Sequence, residues 1–301
     1  AAVMRGIGDS KRPLYFVLIA AVVNVVLDLL FVGVFHMEAA GAALATIIAQ
    51  AISVILSAIY LYKRNFMFDF KLKSFKIVPA KLKEMVRIGL PTAVQQTLVS
   101  VSFLFLTGII NLYGVHASSA ANVAAKLGMF AIMPTLAMSA AVSAMVGQNV
   151  GAQRYDRAIQ TLKVGIAASV AIALLVIGLA QLFPEQALRL FTDDPQDLLL
   201  GVPYLRLVSL DWLTAAVIIN LNGLIIGSGH SMRALINALL ANVVLRVPLA
   251  YLFSLGLDMG ILGVPLANAV APFLTSGVAL WFIASGRWKS DKGRRIILEQ
   301  E

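Results

Sequence analysis

The chain has 301 residues, of which 60% are hydrophobic and only 13% are charged. A soluble domain carries about 25% charged residues, so this chain has too little polar surface to cover a water-exposed fold. The absence of cysteine excludes disulfide frameworks, thiol catalysis and zinc sites with cysteine ligands. The formal net charge of +9 suits a nucleic-acid partner only if the basic residues gather on one folded face.

Eight apolar stretches follow one another along the chain, and each is long enough to cross a bilayer, because about 20 apolar residues in a helix span the hydrocarbon core. Helices are expected because a lipid-facing backbone must satisfy its own hydrogen bonds. The short alternating strands of a membrane barrel are missing from the sequence. We therefore predict an all-α, polytopic transmembrane bundle. The stretches are residues 14–35, 40–62, 88–113, 119–150, 162–183, 203–226, 234–255 and 261–284.

Polar segments between the stretches divide the chain into four parts. Residues 1–62 carry two spans and are followed by a basic linker over residues 63–87. Residues 88–285 carry six spans and form a complete bundle, and residues 286–301 form a charged tail.

Lysine and arginine residues are distributed very unequally between alternate loops. Twenty of the 24 lie in the linker, the tail and the loops on the same side, whereas the opposite side has only Arg189 and Arg206. Cytoplasmic loops carry an excess of these residues, so we predict a plasma (inner) membrane protein with both ends of the chain in the cytoplasm. Topology then explains the net charge. Contact with membrane lipid is expected, and a nucleic-acid partner is not.

Three short motifs recur in the same order near both ends of the chain. Both sets begin on the same side of the membrane, so spans one and two correspond to spans seven and eight in a parallel repeat about the membrane normal. If a repeat unit has six spans, the N-terminal bundle is incomplete, and its first four helices are expected in the same full-length chain. The motif pairs are residues 6–10 with 227–231, 24–28 with 242–246, and 41–45 with 263–267.

Three segments together resemble the multidrug and toxic compound extrusion (MATE) family. They are RGIGDSKRP at residues 5–13, IGLP at residues 88–91 and GQNVGA at residues 147–152. The resemblance implies a two-bundle fold of twelve helices, of which this chain would be helices five to twelve. It also implies export of cationic, amphiphilic drugs in exchange for H⁺ or Na⁺.

Asp28 is an ionisable residue in the middle of the first span, where such groups are functional candidates by default. Asn24 lies one turn earlier on the same helical face. A carboxylate with an amide oxygen suits a cation or a proton. Family members with a cation site in the N-terminal bundle use Asn-x-x-x-Asp on helix five and Thr on helix six, so the resemblance implies an H⁺ or Na⁺ site at Asn24, Asp28 and Thr46. A structural aspartate paired with a backbone or arginine partner is the alternative.

Further polar and flexible side chains inside the spans are candidates for a substrate cleft. Methionine packs adaptably against varied shapes, and ordinary helix packing is the more common explanation of such residues. The glutamines, Gln95 and Gln96, could bind substrate or join helices by hydrogen bonds. Lys126 could instead extend its amine to the outer surface. An arginine at the repeat counterpart of Asp28 faces the cleft or forms a structural ion pair. The candidates are Gln95, Gln96, Lys126, Met129, Met133, Asp211 and Arg246.

The leading hypothesis is a secondary active antiporter that exports cationic or amphiphilic small molecules. The alternatives are a lipid-linked precursor flippase of the related superfamily and a non-transporting membrane fragment. An enzyme is not expected, because the glycines near Gly227 lack the ending of a phosphate-binding loop and no Ser-His-Asp arrangement stands out. His36, His116 and His230 show no metal-ligand spacing. No cofactor beyond the coupling ion is expected.

Overall fold

A computed structural model describes Met4, Asp9 and residues 11–63 and 77–289. Within these residues the protein is helical without any strand, and eight helical segments are long and apolar enough to cross a membrane. Each segment overlaps one predicted span, which confirms the all-α transmembrane fold. The segments are Lys11–Val34, Glu38–Tyr62, Pro79–Asn111, Val115–Gly151, Tyr155–Leu182, Pro195–Gly227, Ser231–Gly256 and Gly260–Ala284.

The α-helices are numbered in chain order. Three π-helical turns interrupt or extend them, over Leu29–Val34, Leu240–Leu245 and Leu252–Gly256. The helices are α1 Lys11–Asp28, α2 Glu38–Lys63, α3 Pro79–Asn111, α4 Val115–Gly151, α5 Tyr155–Leu182, α6 Pro184–Arg189, α7 Pro195–Gly227, α8 Ser231–Leu239, α9 Arg246–Tyr251 and α10 Gly263–Ala284.

Three helices begin seven to nine residues before the apolar stretch that predicted them, and two of the three begin with proline. Proline is favoured in the first helical turn because its missing N–H has no helical partner there. Pro79 starts α3 inside the segment predicted as linker, and Pro195 starts α7. The Asp194 side chain caps α7 by accepting the Gln196 amide at 2.8 Å. Hydropathy marks the part of a helix that suits lipid, so it places these helix starts too late.

The chain separates into two compact units, Ala1–Pro79 and Ala80–Glu301. In the first unit, every fourth residue on one face of α2 is small and buried, namely Gly41, Ala45 and Ala49. Small residues let transmembrane helices approach closely. A Cβ atom on Gly41 would lie 2.9 Å from the Met37 Cβ and 3.0 Å from the Phe31 Cβ, so only glycine fits at this close approach.

In the second unit, α7 lies at the centre and packs against α4, α5 and α10. Its contact with α4 uses small residues four positions apart on both helices. A Cβ atom on Gly223 would lie 2.8 Å from the Ser139 carbonyl oxygen, and one on Gly227 would collide with the Ser143 carbonyl oxygen. The small-residue pattern therefore sets how closely the two helices pack.

The backbone geometry of the two loops that precede α2 and α10 is similar. His36 has φ of 50° and Asp258 has φ of 53°, while Glu38 and Gly260 have φ of 46° and 60°. Both pairs are 222 residues apart (36 to 258 and 38 to 260), the spacing of the third motif pair of the repeat. A left-handed backbone is uncommon outside glycine, so the local structure recurs where the sequence recurs. The predicted domain boundaries stay a prediction, since residues 64–76 and 290–301 lie outside the described part.

Candidate functional site

The first unit carries the three residues predicted to bind a cation. Asp28 is the last residue of α1, directly before the π-helical turn Leu29–Val34, and such turns are frequent at functional sites. The Oδ1 atom of Asp28 is buried and accepts no hydrogen bond from any described residue. Leaving a buried polar atom without a partner costs free energy. This carboxylate is therefore suited to receive a partner from outside the described residues.

Asn24 and Thr46 join the two helices beside Asp28. The side-chain amide nitrogen of Asn24 lies 3.5 Å from the Thr46 hydroxyl oxygen. That hydroxyl in turn donates to the Ala42 carbonyl oxygen at 2.9 Å. Because the Asn24 amide nitrogen faces Thr46, its carbonyl oxygen is available for another partner. Two of the three predicted residues, Asn24 and Thr46, thus meet at one contact between α1 and α2, and Asp28 follows Asn24 by one helical turn.

The chemistry of this contact suits a small cation. A carboxylate, an amide oxygen and a hydroxyl oxygen are hard ligands. Hard metal cations prefer such oxygen ligands. The Asp28 carboxylate can accept a proton instead. A bound proton neutralises the carboxylate and weakens its attraction for a metal ion, and a bound metal ion in turn disfavours protonation.

Two glutamines on α3 have different surroundings. The Oε1 atom of Gln95 is buried and has no donor among the described residues, whereas Gln96 is exposed. An unpaired amide oxygen inside a span is available to a hydrogen-bond donor from a substrate or a neighbouring helix. The substrate role predicted for both residues stays a prediction.

The residues predicted on α4 share one helical face, since they are three and four positions apart. Met129 and Met133 are 55% and 61% exposed. The Lys126 amine lies 5.6 Å from the centre of the Phe191 ring, in the segment between α6 and α7. Lys126 therefore extends towards the end of its helix, and the two methionines form an exposed, flexible apolar surface.

Asp211 and Arg246 lie inside the second unit, 8% and 7% exposed. The Arg246 guanidinium donates to Asn242 Oδ1 at 3.0 Å and lies 5.4 Å above the Phe103 ring. Asp211 accepts a hydrogen bond from Thr214 at 3.2 Å. The two side chains form no ion pair with each other among the described residues. Their predicted role in a substrate cleft stays a prediction.

One polar cluster was not expected from the spacing along the sequence. His116 at the start of α4 has its Nδ1 atom 2.8 Å from Asp197 and 3.7 Å from Asp194, both at the start of α7. The Ser119 and Thr192 hydroxyls donate to the other carboxylate oxygen of Asp197. Because both Asp197 oxygens already have partners, we interpret the cluster as a polar link between the two helices.

Comparison with known proteins identifies the family of this chain. The MatE family model matches residues 91–252, more than half of the sequence. The chain belongs to the MatE family. This confirms the resemblance of the three sequence segments, and it supports a non-enzymatic role, since MatE proteins are transporters. With its eight apolar helices the chain is a multi-pass membrane protein.

Individual MatE relatives match almost the whole chain. "Probable multidrug resistance protein YpnP" of Bacillus subtilis (strain 168) is 29% identical over 301 residues, which cover 97% of this chain. "Probable multidrug resistance protein NorM" of Thermotoga maritima is 25% identical over 307 residues, covering 100% of this chain. This chain spans 65% of the length of each of these relatives.

A solved structure of a relative has the same fold. The crystal structure of MATE in the bent conformation superposes with a TM-score of 0.81 at 25% identity. The match covers 94% of this chain and 64% of the solved chain. The described chain therefore has the fold of the matched part of that MATE structure.

Proposed function

We propose that this MatE chain acts in a secondary antiporter that exports cationic, amphiphilic drugs in exchange for H⁺ or Na⁺. The observation that carries the proposal is the buried Oδ1 atom of Asp28, which lacks a donor among the described residues and lies one turn from the Asn24–Thr46 contact. Placing an ionisable group in a span costs free energy, so such a group is a candidate for a functional role.

The coupling step would use the alternation of the Asp28 carboxylate between two partners. A protonated carboxylate is neutral and has lost much of its attraction for Na⁺, whereas a charged one attracts it. An ion that binds one conformation of the transporter more tightly than the other shifts the equilibrium towards the conformation that it prefers. By linkage, the drug and the ion influence each other's binding equally.

The proposed substrate surface combines apolar and hydrogen-bonding groups. Met129 and Met133 offer exposed, adaptable apolar contacts. Gln95 offers an unpaired amide oxygen within the described helices. A ligand site needs mainly apolar walls with a few placed polar groups, and we propose that the methionines on α4 and the glutamine on α3 supply these two kinds of group to one substrate path.

The placement of the embedded bases favours an antiporter over a lipid-linked precursor flippase, which needs a cationic lateral cleft. Lys126 lies against the Phe191 ring. Arg246 is buried with Asn242 and Phe103. Arg246 therefore offers no free cation to an anionic headgroup, and the exposed Lys126 is a single base rather than a cationic cleft. For topology we propose the cytoplasmic location of both chain ends that the Lys and Arg distribution predicts.

The test is ethidium efflux from bacterial cells that lack their own drug pumps and express the complete reading frame containing these residues. Replacement of Asp28 by Asn keeps the shape and removes the charge, so ion-driven efflux is expected to disappear. Imposed pH and Na⁺ gradients then identify the coupling ion. Asp258→Asn, in an exposed loop, is the matched control and should export normally.

Two results would contradict the proposal. Unchanged efflux by the Asp28→Asn protein would remove Asp28 from the coupling step. Absence of efflux from cells with the unaltered protein at normal membrane expression would favour the non-transporting fragment.

A further inference from the structure

A cavity of about 520 Å³ lies between α4 and α5 in the second unit, and none of its lining residues belongs to the proposed ion or substrate sites. Its size falls in the range of roughly 300–1,000 Å³ typical of small-molecule sites. Met145 and Val164 line it and are 50% and 60% exposed. The cavity is therefore a groove that is open on its outer side.

The groove has a polar end and an apolar end. Helices α4 and α5 are antiparallel and joined by a short turn, so Asn149 near the end of α4 faces Arg157 near the start of α5. Met138 lines the other end. Met138 and Asn149 are eleven positions apart, which corresponds to about 16 Å along a helix. This is about half of the ~30 Å hydrocarbon core, so the groove spans one leaflet of a bilayer.

Arg157 gives the polar end a positive charge that no described acid neutralises. It forms no ion pair with a described residue, although Asp156 is its neighbour in sequence. Gln160 lines the groove one turn away. A guanidinium group matches the geometry of a phosphate, and basic pockets between transmembrane helices bind anionic lipid headgroups.

We propose that this groove binds one anionic phospholipid, with the phosphate on Arg157 and an acyl chain along Val164, Met145 and Met138. The groove has the length, the polarity and the lateral opening that a lipid requires. Arg157 would repel a cationic drug. The groove therefore selects a different class of ligand from the proposed drug-export path.

The experiment is native mass spectrometry of the purified chain from micelles that contain dioleoylphosphatidylglycerol and dioleoylphosphatidylcholine in equal amounts. We expect one phosphatidylglycerol to be retained in preference to phosphatidylcholine. Arg157→Gln should retain about tenfold less, since it removes a charge-assisted hydrogen bond. Lys163→Gln is the matched control, because Lys163 is exposed on the same helix and does not line the groove.

A second pair of variants tests the apolar part of the groove without touching Arg157. Val164→Trp should fill the groove and reduce lipid retention. Leu175→Trp, at a position 66% exposed on the same helix, should retain lipid like the unaltered chain. Size-exclusion profiles and circular dichroism verify that each variant is folded.

Three outcomes would overturn the lipid proposal. They are equal retention of phosphatidylglycerol by Arg157→Gln, equal retention of phosphatidylcholine by the unaltered chain, and displacement of the lipid by inorganic phosphate at equal concentration. The last outcome would indicate a site for a free anion.

Discussion

The side-chain amide of Asn24 on α1 lies 3.5 Å from the hydroxyl oxygen of Thr46 on α2, one turn from a buried Asp28 oxygen without a partner among the described residues. This relationship joins two helices of the first unit at the residues predicted to bind the coupling ion. A substitution that removes an oxygen here without changing the side-chain shape therefore tests ion binding separately from folding.

The first prediction concerns the hydroxyl of Thr46. Thr46→Val keeps the side-chain shape but removes one oxygen, so the half-saturating concentration of the coupling ion should rise about tenfold, as expected when one ligand contact is lost. Efflux from proteoliposomes under imposed ion gradients measures it. Thr107→Val is the control, because Thr107 makes the same kind of hydrogen bond to the carbonyl four residues earlier. An unchanged concentration would exclude Thr46 as a ligand.

The second prediction concerns the close packing of α4 and α7. Gly227→Ala places a methyl group against the Ser143 backbone and should lower the free energy of unfolding by about 2 kcal/mol, because a packed interior resists added volume. Gly178→Ala on α5 is the control, since nothing lies within 4 Å of its added Cβ. Unfolding in increasing denaturing detergent measures both. Equal stability of the two variants would show that the small-residue contact is not tight.

The third prediction concerns the buried charges of Asp211 and Arg246. Arg246→Met removes the buried guanidinium that donates to Asn242 in the same unit as Asp211, and it should cost about 1–3 kcal/mol of stability. The double variant Asp211→Asn with Arg246→Met should be more stable than Arg246→Met alone. A double-mutant cycle with the same unfolding assay measures the coupling. Additive effects would mean that the two charges do not stabilise each other.

The fourth prediction concerns the polar link between α4 and α7. Asp197→Ala removes the acceptor of Ser119, Thr192 and His116 and should lower the melting temperature of the protein in detergent. The expected cost is about 2 kcal/mol, because three partly buried groups lose hydrogen bonds to a charged acceptor. Asp193→Ala, an exposed acid outside the cluster, should melt at the normal temperature. Identical melting of both variants would contradict a structural role for the cluster.

The sequence by itself determined the eight spans, because apolar content and helical period are local properties that a bilayer requires. It placed Asn24 and Asp28 on one face, since residues four apart are neighbours on any helix. The motifs at residues 5–13, 88–91 and 147–152 predicted the family that the MatE match confirms. It did not place the helix starts at Pro79 and Pro195, because those turns are too polar to mark a span.

Only the tertiary structure decided which distant residues meet. The family resemblance had already assigned Asn24 and Thr46, 22 positions apart, to one site, whereas nothing in the sequence predicted that His116 meets Asp197, 81 positions away. Such contacts depend on how whole helices pack, which is set by the sum of many small-residue and apolar contacts rather than by any local pattern. The same packing buries Arg246 beside Asn242 and forms the groove at Arg157. A helical period says which face a residue occupies, and the packed bundle decides what that face meets.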